Sequence, residues 1–406
     1  MSIKFAYYRV FQGVFNIGAR VLPWRKAELV TGAGSIKEIP AYLKRENAKR
    51  PMVVTDPGLM KAGVAEMVLD VLKNANIEYE LFDKVEPNPS ITTIDSIQKQ
   101  FLDGKCDSFV AVGGGSAIDA AKAAGARVTF PNKSVGQMGG LLKVWKKIPP
   151  FLAVPTTSGT GSETTIAAVV TDSETHHKYS LMDLHLIPKY AFLDPELTKG
   201  LPPFITGPTG MDALTHAVEA YLCWTYNTKE SKAFALEAVK LIFENLEKAY
   251  KDGGDIEARL NMMIASYKAG FAFTRAGVGN IHAIAHTLGG LYGTPHGLAN
   301  AVIMPIVLDD YGEKVTEKLA IMAEAGGLGN RDGSINKDSE LAKSFIQTIK
   351  DMNRRMEIPD HFDSINEDDI PQMVTWALKE ANPIYPVPVL YDRKRATDVV
   401  KRIMGQ

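Results

Sequence analysis

The chain has 406 residues, too many for one ordinary hydrophobic core, and 45% of them are hydrophobic against 23% charged. That balance describes a globular protein of two domains. A formal net charge of -1 leaves no electrostatic footprint for nucleic acid, and no apolar run reaches the roughly 18 residues of a membrane span. The only two cysteines, Cys106 and Cys223, cannot form a disulfide framework and lack metal-ligand spacing, which favours a reducing cytoplasm.

Residues 1–26 stand apart as an extension. They carry Lys4, Arg9, Arg20, Arg25 and Lys26, no acid, and Phe5, Tyr8, Phe11, Phe15 and Leu22 between the charges. A targeting or membrane-surface helix shares this composition, but Gln12, Gly13 and Asn16 break the apolar run and no cleavage site follows. The expectation is an extra helix lying on the body or on a partner subunit.

From residue 27 to 200, short β-rich runs alternate with helical ones, which predicts βαβ units and a parallel sheet. Glu28–Thr31 leads into Gly32-Ala-Gly-Ser35, a turn with Ser35 placed to cap the next helix. Further strands are expected at Pro51–Asp56, Ile77–Phe82 and Cys106–Val112. The last runs into Gly113-Gly114-Gly115-Ser116 and then helical Ala117–Lys122. Glycines at a strand-to-helix junction let backbone N–H groups approach a phosphate, although a plain tight turn reads the same way. Asp56 ends a strand where a carboxylate would accept from ribose hydroxyls and repel a 2′-phosphate; an Asp-Pro-Gly turn is the alternative. Thr156-Thr157-Ser-Gly-Thr160-Gly-Ser-Glu163, following a strand, supplies hydroxyl donors for phosphate or ribose and also suits a helix cap.

From 201 to 406 the periodicity becomes helical, with Pro202, Pro203 and Pro208 punctuating the join. Asp212-Ala-Leu-Thr-His216 and His282-Ala-Ile-Ala-His286 each place two polar side chains on one helical face. Pro295-His296-Gly297 follows glycines that should end a helix, so His296 is expected in a loop. Four of the eight histidines fall here, each among small or apolar residues. One carboxylate with three imidazoles suits Fe2+ or Zn2+, the alternative being hydrogen-bonded core histidines.

Gly210-Met-Asp212-Ala-Leu-Thr-His216-Ala-Val-Glu-Ala-Tyr221 and Asn280-Ile-His282-Ala-Ile-Ala-His286-Thr-Leu-Gly-Gly-Leu-Tyr-Gly-Thr-Pro-His296-Gly-Leu-Ala-Asn300 resemble the two signatures of the iron-containing (group III) alcohol dehydrogenases. The resemblance runs from about Glu28 to the C-terminus. It implies a Rossmann-like α/β dinucleotide-binding domain followed by a mainly α-helical metal-binding domain. Asp212, His216, His282 and His296 would hold iron, with zinc possible on chemistry alone. His286 would remain for proton transfer, or else orient a ligand. The cofactor set would be Asp56, Asn88, Gly113, Gly114, Gly115, Ser116, Asp119, Thr156, Thr157, Thr160 and Lys178. Asp56 at its position implies NAD rather than NADP.

The activity implied is hydride transfer between NAD(H) and small primary alcohols or diols and their aldehydes, by a cytoplasmic homo-oligomer. A polyol dehydrogenase or a metal- and NAD-dependent lyase of the dehydroquinate synthase type shares the plan, but the complete Asp/His/His/His signatures with His286 argue against both. They argue also against a non-catalytic assembly protein. No arginine lies in the ligand motifs to clamp a carboxylate or phosphate, Arg275 being the nearest, so uncharged substrates are expected. Phe273 reads as a core aromatic or as a wall of the substrate pocket.

Overall fold

The structure, a computed structural model, describes residues 3–173 and 178–406. It divides into two compact units, Pro23–Gly200 and Met1–Leu22 with Leu201–Gln406. Helix α1 (Ile3–Arg20) therefore belongs to the second unit although it opens the chain. Among the described residues no helix is long and apolar enough to cross a membrane.

Among the described residues the first unit holds nine strands: β1 (Glu28–Thr31), β2 (Pro51–Val54), β3 (Glu80–Phe82), β4 (Ser108–Gly113), β5 (Gly140–Leu141), β6 (Phe151–Pro155), β7 (Ala167–Thr171), β8 (Lys178–Met182) and β9 (Tyr190–Leu193). Six form a parallel sheet in the order β1-β9-β6-β4-β2-β3, and β5, β8 and β7 form a second, small sheet. Helices α2 (Ile39–Arg45), α3 (Pro57–Lys61), α4 (Val64–Asn74), α5 (Ile91–Asp103), α6 (Gly115–Thr129) and α7 (Val135–Met138) complete the unit. Every residue of β2, β4, β6 and β9 is buried, so these strands read as unbroken apolar runs and not as alternation. One apolar layer includes Ile94, Phe101, Phe109 and Ile118; the other includes Ile39, Leu43, Val68 and Phe192.

The connections from β2 to β3 and from β4 through β6 to β9 run in opposite directions along the sheet. This makes the β2–β4 boundary a topological switch point, where open α/β sheets bind ligands outside the carboxyl ends of their strands. Two local expectations need correction. The third strand begins at Glu80, not Ile77. Ser35 caps nothing, for its buried hydroxyl has no hydrogen-bond partner among the described residues. Instead Asp194, just past β9, accepts from the Gly34 and Ile36 amides at 3.1 and 3.2 Å, a partner far away in sequence.

The second unit continues with α8 (Pro203–Leu222), α9 (Lys229–Lys251), α10 (Ile256–Ala276), α11 (Asn280–Tyr292), α12 (His296–Tyr311), α13 (Thr316–Ala325), α14 (Ile335–Arg355), α15 (Ile370–Ala381) and α16 (Arg393–Ile403). They enclose one continuous apolar core. Pro203 opens α8, but Pro208 lies inside it and does not punctuate the join. The carbonyl its missing N–H would have served belongs to Phe204, at the exposed helix start, where water can take its place.

Helix α1 is held by its polar face. Arg9 donates to the carbonyls of Val387 and Pro388 at 2.8 and 3.1 Å, and the Gln12 amide donates to those of Pro383 and Tyr385 at 2.9 and 2.7 Å. The Gln12 carbonyl accepts from the Trp224 indole at 2.6 Å. Gln12 is wholly buried, so Gln12→Ala takes a partner from four polar groups, the Arg9 guanidinium, the Trp224 indole and the carbonyls of Pro383 and Tyr385. At about 1–3 kcal/mol for buried groups stripped of partners, this substitution should lower unfolding free energy by at least ~1 kcal/mol. Denaturant unfolding followed by tryptophan fluorescence measures it; an unchanged midpoint would mean that Gln12 does not anchor α1.

Candidate active site

Helices α8, α11 and α12 each present polar residues one turn apart: Asp212, His216 and Glu219; His282 and His286; His296 and Asn300. One donor atom from each of Asp212, His216, His282 and His296 lies within 4.8 Å of the other three. The Asp212 Oδ1 is 3.9 Å from His282 Nε2 and 3.4 Å from His296 Nε2. The His216 ring stacks on His282 at 4.6 Å and on Phe273 at 4.1 Å between centroids, so Phe273 packs directly against one of the four donors. Asp212, His216 and His282 are buried, while the His296 side chain is 41% exposed and gives the cluster an open side. His296 is the first residue of α12 and not a loop residue, because the chain turns at Gly293 and Pro295 is already the N-cap of the next helix.

Asn300 tests whether a cation fits. Its Nδ2 lies 2.7 Å from Asp212 Oδ1, 3.1 Å from His282 Nε2 and 3.2 Å from His296 Nε2. An amide has two hydrogens for these three acceptors, while its own Oδ1 is buried with no partner among the described residues. Lone pairs converging on one donor mark a place for positive charge. Three imidazole nitrogens and a carboxylate oxygen are a donor set for Fe2+ or Zn2+.

Electrostatics favour the ligating form of His282. Burial above all, then His216, His296 and His286, hold its pKa well below the usual histidine range, so the ring is neutral near pH 7. Its Nδ1 meets Glu219 Oε2 at 2.6 Å and its Nε2 faces the Asn300 Nδ2 donor at 3.1 Å, the arrangement of a ring protonated at Nδ1 with the Nε2 lone pair turned to the cluster. Glu219 also accepts from the Gly279 and Ile281 amides at 2.7 and 2.8 Å. Burial pushes Glu219 up to about 8 while those amides pull it down. His286 faces elsewhere: its Nδ1 is 2.6 Å from Glu380 Oε1, which also accepts from the Tyr385 hydroxyl at 2.8 Å. The His286 ring stacks on His296 with centroids 5.2 Å apart.

In the first unit, β4 and β6 pair so that Gly113 lies opposite Pro155, and the Thr156 amide extends the ladder to the Gly113 carbonyl at 3.1 Å. The loops after both strands are thereby side by side. Gly113 has φ +156°, and a Cβ there would come within 2.6 Å of the Ala117 Cβ; only glycine lets the turn close on α6. Cβ atoms at Gly114 and Gly115 would touch the Thr157 and Thr160 side chains. The Asn88 amide donates to Ser116 Oγ at 3.4 Å, bringing these two together as well. Across the switch point, Asp56 caps α3 by accepting from the Leu59 amide at 3.0 Å through Oδ1. Its Oδ2 is the oxygen that faces Gly113.

Asp119 is a different matter. Its two carboxylate oxygens accept from Ser162 Oγ at 2.6 Å and the Val169 amide at 3.0 Å, so it braces the loop beside the glycines. Lys122, wholly buried, joins it by donating to Ser162 Oγ and Thr165 Oγ1 and to the carbonyls of Thr165 and Ala167, at 2.8–3.1 Å. Burial lowers Lys122 to about 8 against the pull of Asp119 and Glu163. Lys178 starts β8, paired with Thr171, and its side chain lies outside the described part. Glu219, Asn300, Glu380 and Lys122 are the residues that sequence reasoning did not single out. The signal for Glu219 was present: it follows Asp212 and His216 at spacings of four and three, on the ligand face of α8.

Gly297 marks where the ligand helices touch, since a Cβ there would sit 2.4 Å from the Pro208 carbonyl oxygen. That neighbour is backbone and cannot rotate away. Gly297→Ala should therefore push α12 off α8, carrying His296 away from Asp212. Expected are a loss of about 1–3 kcal/mol in stability and at least ~10-fold weaker metal binding in chelator competition. Metal affinity equal to that of the unsubstituted chain would show that the contact does not set the site.

The comparisons agree over both units. Residues 26–195 match the family model described as iron-containing alcohol dehydrogenase, and residues 206–404 match the C-terminal model of the Fe-containing alcohol dehydrogenase family. The chain is 38% identical over 343 residues to the NAD-dependent methanol dehydrogenase of Bacillus methanolicus, covering 84% of this chain and 89% of the relative. It is 39% identical over 355 residues to the 1,3-propanediol dehydrogenase of Klebsiella pneumoniae, covering 86% and 90%. A crystal structure of 1,3-propanediol oxidoreductase superposes with TM-score 0.89 at 35% identity, covering 95% of this chain and all of that one. With both family models matched and the Asp/His/His/His cluster assembled, the chain belongs to the iron-containing alcohol dehydrogenase family.

Proposed function

We propose that this chain is a metal-dependent NAD(H) oxidoreductase that interconverts small primary alcohols or diols with their aldehydes, and that it works in the cytoplasm as a homo-oligomer. The observation that carries the reading is the convergence of Asp212, His216, His282 and His296 within 4.8 Å around a position already filled by an N–H donor. In this reading those four residues hold iron. Bound there, the metal supplies a positive centre that lowers the pKa of an alcohol and polarises an aldehyde carbonyl, while NAD(H) accepts or gives the hydride.

The chain's own residues do the rest. Glu219 keeps His282 in the tautomer that offers Nε2. Glu380 takes the Nδ1 proton of His286 in a hydrogen bond, which makes Nε2 the nitrogen that holds and releases the proton exchanged with substrate. The partly exposed His286 side chain gives that proton a route to water. Residues packed on or bonded to the four donors include Asn300, Glu219, Phe273 and His286, none of them a guanidinium or ammonium group. Arg275 is half-buried, lowered by that burial, and answers to Glu230. An uncharged substrate suits these surroundings, because a carboxylate desolvated without a cation is costly. The loops at Gly113–Ser116 and Thr156–Thr160 cradle the pyrophosphate, and Asp56 receives the ribose hydroxyls. Free thiols at Cys106 and Cys223 accord with a reducing compartment.

Three outcomes test this reading. Chelation should abolish turnover and Fe2+ restore it, and His282→Ala should lose metal and activity together; full turnover by rigorously metal-free protein would refute it. Asp56→Gly should raise the NADP-to-NAD ratio of kcat/KM by roughly ten- to hundredfold, at about 1.4 kcal/mol per factor of ten. An unsubstituted enzyme that already prefers NADP would show that Asp56 has no such role. His286→Ala should retain its metal but turn over more slowly with an altered pH–rate profile, and Glu380→Gln should move kcat in the same direction by a smaller factor. Metal loss in His286→Ala would place His286 among the ligands.

A further inference from the structure

Helix α1 turns its polar face inward. Arg9, Gln12 and Asn16 bond to Val387, Pro388, Pro383, Tyr385 and Thr225, and Phe15 packs against Tyr226 at 5.4 Å between ring centroids. What remains outside is a strip of apolar side chains. Ile3 is 91% exposed, Tyr7 59%, Val10 65%, Val14 65%, Ile17 70% and Val21 81%. A soluble helix ordinarily buries such a stripe. The helix lies outside the residues matched by the family models, so the shared chemistry of the family does not account for it.

The spacing of the strip says what kind of surface would cover it. Ile3, Tyr7, Val10, Val14, Ile17 and Val21 follow one another at intervals of four, three, four, three and four. That is the narrow a/d seam of a helix pair, not the broad apolar face of a helix lying in lipid. Four of the six residues are β-branched valine or isoleucine in the helix proper, suited to packing as knobs. Small residues flank the seam: a Cβ built on Gly13 or Gly18 meets nothing within 4 Å, so another backbone can come close. The strip is also symmetric about Gln12. Turned end for end, Ile3 lies over Val21, Tyr7 over Ile17, and Val10 over Val14. The partner such a pattern fits is itself.

We infer that the outward strip of α1 is an interface with a second copy of this chain, in which the two α1 helices pack antiparallel. The contact is isologous, as two-fold symmetry requires. Two such strips together bury on the order of 1,000 Å2, about the least that a specific interface needs. The same pairing brings Lys4 opposite Arg20 of the second copy at each end, a like-charge contact that salt should screen. Association should therefore strengthen with ionic strength. Attachment to an anionic membrane through Lys4 and Arg20 would do the reverse.

Sedimentation velocity of the full-length, metal- and NAD-loaded enzyme over a range of concentrations tests the inference. Association through α1 should weaken at least ~10-fold in the double substitution Val10→Glu with Val14→Glu, at unchanged turnover, and should tighten as salt is added. A second variant, Val14→Cys, keeps the strip apolar and should cross-link to a covalent dimer with a short bis-maleimide, where the unsubstituted chain does not. Association that is indifferent to Val10→Glu/Val14→Glu in a folded, active enzyme, with no cross-link at Val14→Cys, overturns the proposal. So does a strip that leaves the mass unchanged and instead carries the enzyme to phosphatidylserine vesicles in a salt-sensitive way.

Discussion

The helical unit depends on one buried carboxylate. Glu219, on α8, takes the amides of Gly279 and Ile281 at the start of α11 and the Nδ1 proton of His282 one residue further on. Burying an unpartnered carboxylate would cost several kcal/mol; here it accepts from two backbone amides and meets His282, one of the four cluster residues. Because Asp212, His216 and Glu219 share one face of α8, the helix that supplies two donors also sets the position and tautomer of a third. An error in α8–α11 docking would therefore reach the metal cluster without passing through any flexible element.

The dinucleotide-binding unit uses the same device with the charges reversed. Lys122 is a wholly buried ammonium with four oxygen acceptors, and it ties the Thr156–Ser162 loop to α6. Asp119 on the same helix closes the arrangement through Ser162 and Val169. The loop is thus held from behind, leaving its front against Gly114 and Gly115. In both units the candidate site is braced by a buried charged side chain behind it, Glu219 in one and Lys122 in the other.

Local spacing was enough to read much of this. Donors four apart fall on one helical face whatever the fold, so the pairs Asp212/His216 and His282/His286 were legible in the chain itself. So were the glycine run after a buried strand and the alternation of strands with helices, since each depends on neighbours within a turn or two. Where a local rule met a distant partner, it failed. Ser35 looked like a cap, but Asp194 took the amides. Pro208 looked like a stop, but α8 runs through it, the carbonyl left over being at the exposed helix start.

What the chain determines alone is which residues share a face, which junctions can bend, and what chemistry a motif can support. What only the tertiary structure decided is which faces meet. The amide of Asn300 among the donors, the Glu219 bond to His282, the Glu380 bond to His286 and the inward turn of α1's polar side all join residues far apart in sequence. Periodicity sets the direction of a side chain relative to its own helix axis, within a turn or two. The angle and distance between two helices come from close packing of everything between them, here down to the single missing Cβ of Gly297 against Pro208.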